Sequence, residues 1–491
     1  MKEPKGKQEK NTKMAPNVGA RSIESLPDSI LLHILSFLEM KYVVRVCVVS
    51  KRWKDFWSSV PNLIFSLSES DLILEDRFEK FMDFFERILL LHDSSTIQKF
   101  SLRCARARFP HDFNRLNPWI CAVSKRNVEQ LDLYIFSPDF GFPNLPSVLF
   151  TCKTLVELRL HDNHVIDFPR CTYLPNLKTL EISVVDPGDN LNRRFFSGCP
   201  VLESLSIIAY ISDHMKVSID IYAPTLKNLK TFLGVDGRDG FAGRDVKVII
   251  DAQILEYLSI EDNCVAGYLI KNQSSSLVRA DINVGLDDLW EDMEDDAAWR
   301  ALKLFKRISH VKHLGLHGVT TRGLGCIYGN ARVTFCNVTH SYLCVPDLPK
   351  LREALQSMPN LEYLAIYVEI LHVKDDDLEA DIVDLSEEDN EFNDVFSSTQ
   401  AHVVPSCLLS HLRVIKVAIL EGTNDVLQLV KYLLKNSEAL SKMTICLLSS
   451  LSGEEVKKIK RILRFPRGGF KDMSNKNIQI YARFVWSATL N

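Results

Sequence analysis

Apolar positions along the chain change their period once. From Ile30 to Leu38 they follow a helix: Ile30, Leu31, Ile34, Leu35 and Leu38 share one side at 3.6 residues per turn. Pro27 suits the first turn of that helix, and Ser25 and Asp28 favour the same start, one as a cap and one as a first-turn acid. A second apolar run holds Val43, Val44, Val46, Cys47, Val48 and Val49. Ser50 is placed to cap a third short helix carrying Trp53, Phe56 and Trp57. Three helices in about forty residues lie at the lower size limit for independent folding. Such a unit packs on its own chain or presents apolar surface to a partner. Residues 77–91 continue the helical period, with Phe78, Phe81, Met82, Phe85, Ile88 and Leu89 on one side.

The period then changes to L-x-x-L-x-L. Ile97-Phe100-Leu102 starts the series, followed by Val128-Leu131-Leu133 and Leu155-Leu158-Leu160, the last extended by Asn163. Leu177-Leu180-Ile182, Leu202-Leu205-Ile207, the degenerate Leu226-Leu229 and Leu255-Leu258-Ile260 continue it. Weaker copies are Leu277-Ala280-Ile282, Val311-Leu314-Leu316 and Val333-Cys336-Val338. Leu361-Leu364-Ile366, Leu412-Ile415-Val417 and Leu440-Met443-Ile445 end the set. Most intervals are about 22–30 residues, the spacing of leucine-rich repeats. One copy cannot bury its strand alone; stacked neighbours bury it together. Between strands, Asn192 to Pro200 reads as a helical turn ending at Gly198 on the return path.

After the repeats, Asn424 caps a helix with Val426, Leu427, Leu429, Val430, Leu433 and Leu434 on one wide face, and 440–447 is a strand. Ser452 and Glu455 form a capping box for a last helix, and a hairpin or final strand around 478–485 closes the array. Acidic residues crowd 375–394, where like charges oppose compaction and predict a mobile insertion. Leu289, Trp290 and Met293 interrupt a shorter acidic stretch at 287–296 and favour an amphipathic surface helix.

Composition narrows the function classes. With 46% apolar residues and a net charge of −4, broad binding to a phosphate backbone is not expected, so no nucleic acid is assigned. Twelve scattered cysteines without a signal peptide read as reduced thiols of the nucleus and/or cytoplasm. No membrane span is expected. His310/His313 and His161/His164 have no third ligand by sequence, so no metal is assigned. Gly323 to Gly329 has the wrong spacing and context for a dinucleotide fingerprint. No phosphate loop or nucleophile elbow occurs, so no catalytic residue and no cofactor is assigned.

The run Ser25 to Leu63 resembles a plant F-box, in its Leu-Pro-Asp start, its Ile-Leu-Ser-Phe-Leu centre and its Ser-Lys-Arg-Trp close. Ser147 to Leu155, Ser197 to Glu203 and Tyr222 to Lys227 look like the repeats of plant F-box/leucine-rich-repeat proteins. Val404 to Leu408, Glu421-Gly422 and Leu429 to Ser437 are similar to the FBD domain of that family. The resemblance implies an α/β chain with a three-helix F-box at 22–66 and a leucine-rich-repeat solenoid at 67–370. Parallel strands line the concave side of that solenoid, with helices and loops on the convex side. A disordered basic tail at 1–21, an acidic insertion at 371–402 and an FBD α/β cap at 403–491 complete the reading.

The resemblance also implies function. Leu26, Pro27, Ile30, Leu31, Ile34, Leu35, Leu38, Val49 and Trp53 would form or support contact with a Skp-type adaptor, and through it with a cullin–RING ligase. The repeats would hold an unidentified target protein. The chain would then be a non-catalytic substrate receptor of an SCF-type E3 ubiquitin ligase. The alternative is a protein-binding scaffold with a degenerate F-box. Two departures from the family pattern bear on that choice: Glu39-Met40 replaces Pro-Thr, and Tyr42 stands where an acidic cap usually precedes the second helix.

Overall fold

A computed structural model of the 491-residue chain describes residues 23, 26–67, 75–93, 96–105, 110–136, 145–161, 172–187, 191–212, 216–236, 246–271, 276–285, 295–322, 324, 333–345, 347–368, 403–419, 424–447 and 478–482. The basic tail, the acidic insertion, Asn163, the glycines of 323–329 and the helix expected after Ser452 lie outside these residues. The chain divides into two compact units, Met1–Phe140 and Gly141–Asn491.

In the first unit, helices α1 (Asp28–Leu35) and α2 (Met40–Val49) precede a 3-10 turn at Phe56–Ser59. Strand β1 (Asn62–Leu67), helix α3 (Glu75–Leu91), β2 (Lys99–Ala105), α4 (Pro110–Ser124) and β3 (Gln130–Phe136) follow. The three strands are parallel, β1 on β2 and β2 on β3. Val60-Leu63-Phe65 is therefore one more copy of the repeat template, hidden at the end of the helical unit. Its core is aromatic. The Phe85 ring lies 4.4 Å from Phe65, 5.8 Å from Phe100 and 4.2 Å from Trp119, centroid to centroid.

Two helical expectations change. Pro27 is the N-cap of α1 rather than a first-turn residue; its carbonyl accepts from the amides of Ile30 and Leu31 at 3.0 and 3.1 Å. The third helix is only a 3-10 turn, and Trp53 precedes it, its amide donating to the Ser50 carbonyl at 3.1 Å.

In the second unit, parallel strands run in the order β4-β5-β6-β8-β10-β12-β13-β14-β15-β16-β17-β18. They are β4 (Glu157–His161), β5 (Thr179–Val185), β6 (Ser204–Ser212), β8 (Asn228–Asp236), β10 (Tyr257–Asp262) and β12 (Arg279–Val284). The series continues with β13 (His313–Leu316), β14 (His340–Val345), β15 (Tyr363–Val368), β16 (Val414–Ile419), β17 (Lys442–Leu447) and β18 (Ile478–Ala482). The template leucines point inward; Leu158, Leu180, Leu205, Leu229 and Leu258 are all buried. One register differs from expectation. The repeat read at Val333-Cys336-Val338 lies at Val338-Ser341-Leu343, with Cys336 exposed. Ser341 fills the leucine slot because its hydroxyl donates to the Leu314 carbonyl at 2.9 Å, which makes burial of a polar group tolerable.

The return path carries the expected helices and loops, such as the helices Asp295–Ile308 and Leu348–Gln356, and adds strands at three connections: β7 (Val217–Tyr222), β9 (Val246–Asp251) and β11 (Gly267–Ile270) form a second parallel sheet in the order β11-β9-β7. Val217, Ile219 and Ile221 alternate with polar residues, and Val246, Val248 and Ile250 are the buried members of a β-branched run; β-branched side chains at period two favour strand. The carboxylate of the fully buried Asp262 fixes the approach to β11. It accepts from the amides of Cys264 and Ala266 at 2.6 and 2.8 Å, and burial pushes its pKa up.

The helical turn between β5 and β6 is Arg193–Ser197. Asn192 caps it, its side-chain oxygen accepting from the amides of Arg194 and Phe195 at 2.9 and 3.3 Å. Gly198 ends the turn at φ −74°, an ordinary conformation, so close approach is what requires glycine. A Cβ there would lie 2.2 Å from the Thr172 carbonyl oxygen. Gly198→Ala is expected to destabilise the fold by about 1–3 kcal/mol, read as a lower urea midpoint at unchanged m.

Candidate docking surface and open repeat face

The helical unit sorts the nine expected adaptor residues by burial. Leu31, Leu35 and Trp53 are core, at 0%, 1% and 7% exposure. Leu26 and Leu38 are half-buried, and Pro27 is exposed. Ile30, Ile34 and Val49 face solvent at 45%, 37% and 87%. Phe37 at 71% and Val48 at 79% join them, although neither is among the nine. Their signal was available: Phe37 follows Ile30 by two helical turns, and Val48 adjoins Val49. Leu31, Leu35, Met40, Val43 and Cys47 use up the inward faces of the two helices, which turns the remaining apolar residues outward.

Arg52 ties the start of α1 to the segment after α2. It pairs with Asp28 at 2.6 Å and donates to the Leu26 carbonyl at 2.7 Å. Both ionic partners are well exposed, so the pair contributes under about 1 kcal/mol and matters for geometry. Glu39, not residue 42, is the N-cap of α2, and it makes no side-chain cap bond. Tyr42 sits inside the helix, exposed, with the ammonium of Lys41 and the guanidinium of Arg45 at 5.0 and 5.9 Å from its ring centroid. The cap expected to be missing at Tyr42 is therefore not a cap position.

In the second unit, the alternate residues of each strand form an open face. At its β4–β5 end this face is ionic: Arg159 pairs with Glu157 and, at 3.5 Å, with Glu181, which also lies 3.7 Å from the His161 ring nitrogen. Among the described residues no cluster of three or more His, Cys, Asp or Glu could hold a metal, and no helix is long and apolar enough to cross a membrane.

A small helical unit with solvent-facing apolar side chains, and an array of stacked parallel repeat strands with an open polar face, define a repeat-type binding protein. Family models agree in each part. The F-box domain matches residues 23–65, the LRR repeats of an FBD-associated F-box protein match 116–280, and FBD matches 400–445. F-box/LRR-repeat protein At4g14096 of Arabidopsis thaliana is 34% identical over 90% of this chain and 91% of its own length. F-box/FBD/LRR-repeat protein At5g22700 of the same plant is 31% identical over 88% and 94%, and F-box/LRR-repeat protein 13 is 29% identical over 91% and 94%. The chain belongs to the F-box/FBD/LRR-repeat family.

Proposed function

We propose that this chain is the substrate-recognition subunit of an SCF-type E3 ubiquitin ligase in the nucleus or cytoplasm. It docks on a Skp-type adaptor, and through it on a cullin–RING ligase, by its F-box. It binds a target protein on the open face of its repeats. The observation that carries this reading is the exposure of Ile30, Ile34, Phe37, Val48 and Val49 within the span that matches an F-box domain. Apolar side chains grouped on one small unit mark an interaction surface. Leu31, Leu35 and Trp53 hold the scaffold that presents them. On this reading the chain does no covalent chemistry itself. It raises the effective concentration of target lysines near the charged conjugating enzyme.

The test is co-elution of the purified chain with a plant Skp-type adaptor on size exclusion, beside a Leu26→Ala/Pro27→Ala variant. A complex that the variant loses is the expected result. A folded chain that forms no complex at micromolar concentration favours the scaffold reading, with Glu39, the N-cap that makes no side-chain cap bond, as the first residue to revert.

A further inference from the structure

We infer that the repeats grip their target through a hollow on the open face of strands β12 to β15, which accepts an aromatic side chain flanked by a carboxylate on an exposed segment of the target protein. This rests on the target-binding reading above and adds the place and the chemistry. The strand register sets two outward rows side by side. One row is Arg279, His313, His340 and Tyr363; the other is Asp281, Gly315, Tyr342 and Ala365. Small residues on either side of Tyr342 leave a depression of about 280 Å³ in the second row. The first row supplies its wall of rings. His313 and His340 lie 4.8 Å apart, and His340 stacks on Tyr363 at 5.4 Å with 23° between planes.

Three observations fix the occupant. The first is size. A hollow of about 280 Å³, at the lower edge of the about 300–1,000 Å³ typical of small-molecule sites and set on an open sheet face, has room for one aromatic side chain of a larger partner. The second is the wall. Burial, then the neighbouring His340, lowers the His313 pKa, which keeps its imidazole neutral and suited to stacking at neutral pH. Aromatic anchors seated in pockets carry most of the binding energy at protein interfaces. The third is charge. Asp281, the lining carboxylate, is already engaged: it accepts from the Tyr257 hydroxyl at 2.9 Å and from the Arg279 Nε at 3.1 Å. It also leans over Gly315, where a Cβ would lie 2.4 Å from its Oδ1. Across the hollow, Lys416 stands beside Ala365 in the register and holds its ammonium 5.4 Å from the Tyr363 centroid. With that acid neutralised in place and a lysine at the far rim, the field favours an anionic neighbour to the anchor.

The experiment is selection of random linear peptides, displayed on phage, against the immobilised full chain. Binding of the selected peptides is then measured on wild type, His340→Ala and Lys416→Glu. His340 is exposed and Lys416 faces outward from its strand, so both variants keep the fold, checked by unchanged thermal melting. Enriched peptides are expected to carry Phe, Tyr or Trp within two positions of Asp or Glu. Each variant should weaken them by at least about tenfold, the loss of one good anchor contact. Peptides that bind both variants as well as wild type, or a selection that yields no aromatic–acid pair, overturn the inference. The selection involves no adaptor. Loss of the hollow and loss of the ligase reading therefore register in different measurements.

Discussion

Ile34→Asp combined with Val49→Asp is expected to weaken adaptor binding by at least about 100-fold, with the fold intact. Burying each side chain on docking contributes about 1.5–3 kcal/mol, and a tenfold change in affinity is about 1.4 kcal/mol. Losing two such contacts, with two carboxylates left to desolvate in an apolar interface, exceeds that threshold comfortably. Val49 faces solvent at 87% and Ile34 at 37%, and each lies in the last turn of its helix, where a carboxylate opposes the dipole, so the free chain should lose only about 1–2 kcal/mol of stability. Titration calorimetry against the adaptor, beside thermal melts of the free variants, reads the two quantities separately. Wild-type affinity in the double variant would place the docking surface elsewhere. Leu31→Ala is a poorer probe. Leu31 is fully buried, and its truncation costs about 2–5 kcal/mol of stability whatever it does to binding.

Phe85→Ala should be the most damaging single truncation in the first unit, at about 3–5 kcal/mol. Its ring is fully buried and is met by Phe65 of β1, Phe100 of β2 and Trp119 of α4. The cavity would open among elements that cannot collapse without bending a strand. Urea unfolding of the adaptor-free chain checks it, and a loss below about 1 kcal/mol would show that the cluster repacks. Phe85→Leu keeps much of the volume and should recover a good part of the loss.

Most of the repeat strands were legible because leucine positions recur at a fixed offset from each strand, and that offset survives conservative exchange. It failed where a polar residue took a leucine slot. Ser341 is invisible to an apolar template, and the reading slipped to Val333, Cys336 and Val338, which match by chance. The back sheet was missed for another reason. Val217 to Ile221 alternates clearly and Val246 to Ile250 is rich in β-branched residues, but the template reserved those stretches for helices and loops. The exposed apolar residues of the helical unit were half legible. Periodicity places Ile30, Leu31, Ile34 and Leu35 on one side of α1, but only packing shows that Leu31 and Leu35 turn inward while Ile30 and Ile34 turn outward. The hollow on β12 to β15 was not legible. It depends on Gly315 and Ala365 standing either side of Tyr342, and that adjacency exists only once the strands are in register.

The strand Asn62–Leu67 begins inside the span that matches the F-box domain and pairs along its full length with Lys99–Cys104. The F-box is thus not a detachable cassette. Cutting the chain at residue 66 would strip β1 of its neighbour and expose a raw hydrogen-bonding edge. Exchange of F-boxes between relatives should therefore keep β1 together with the β2 on which it pairs. For engineering, the helical unit and the first repeat strands make one piece.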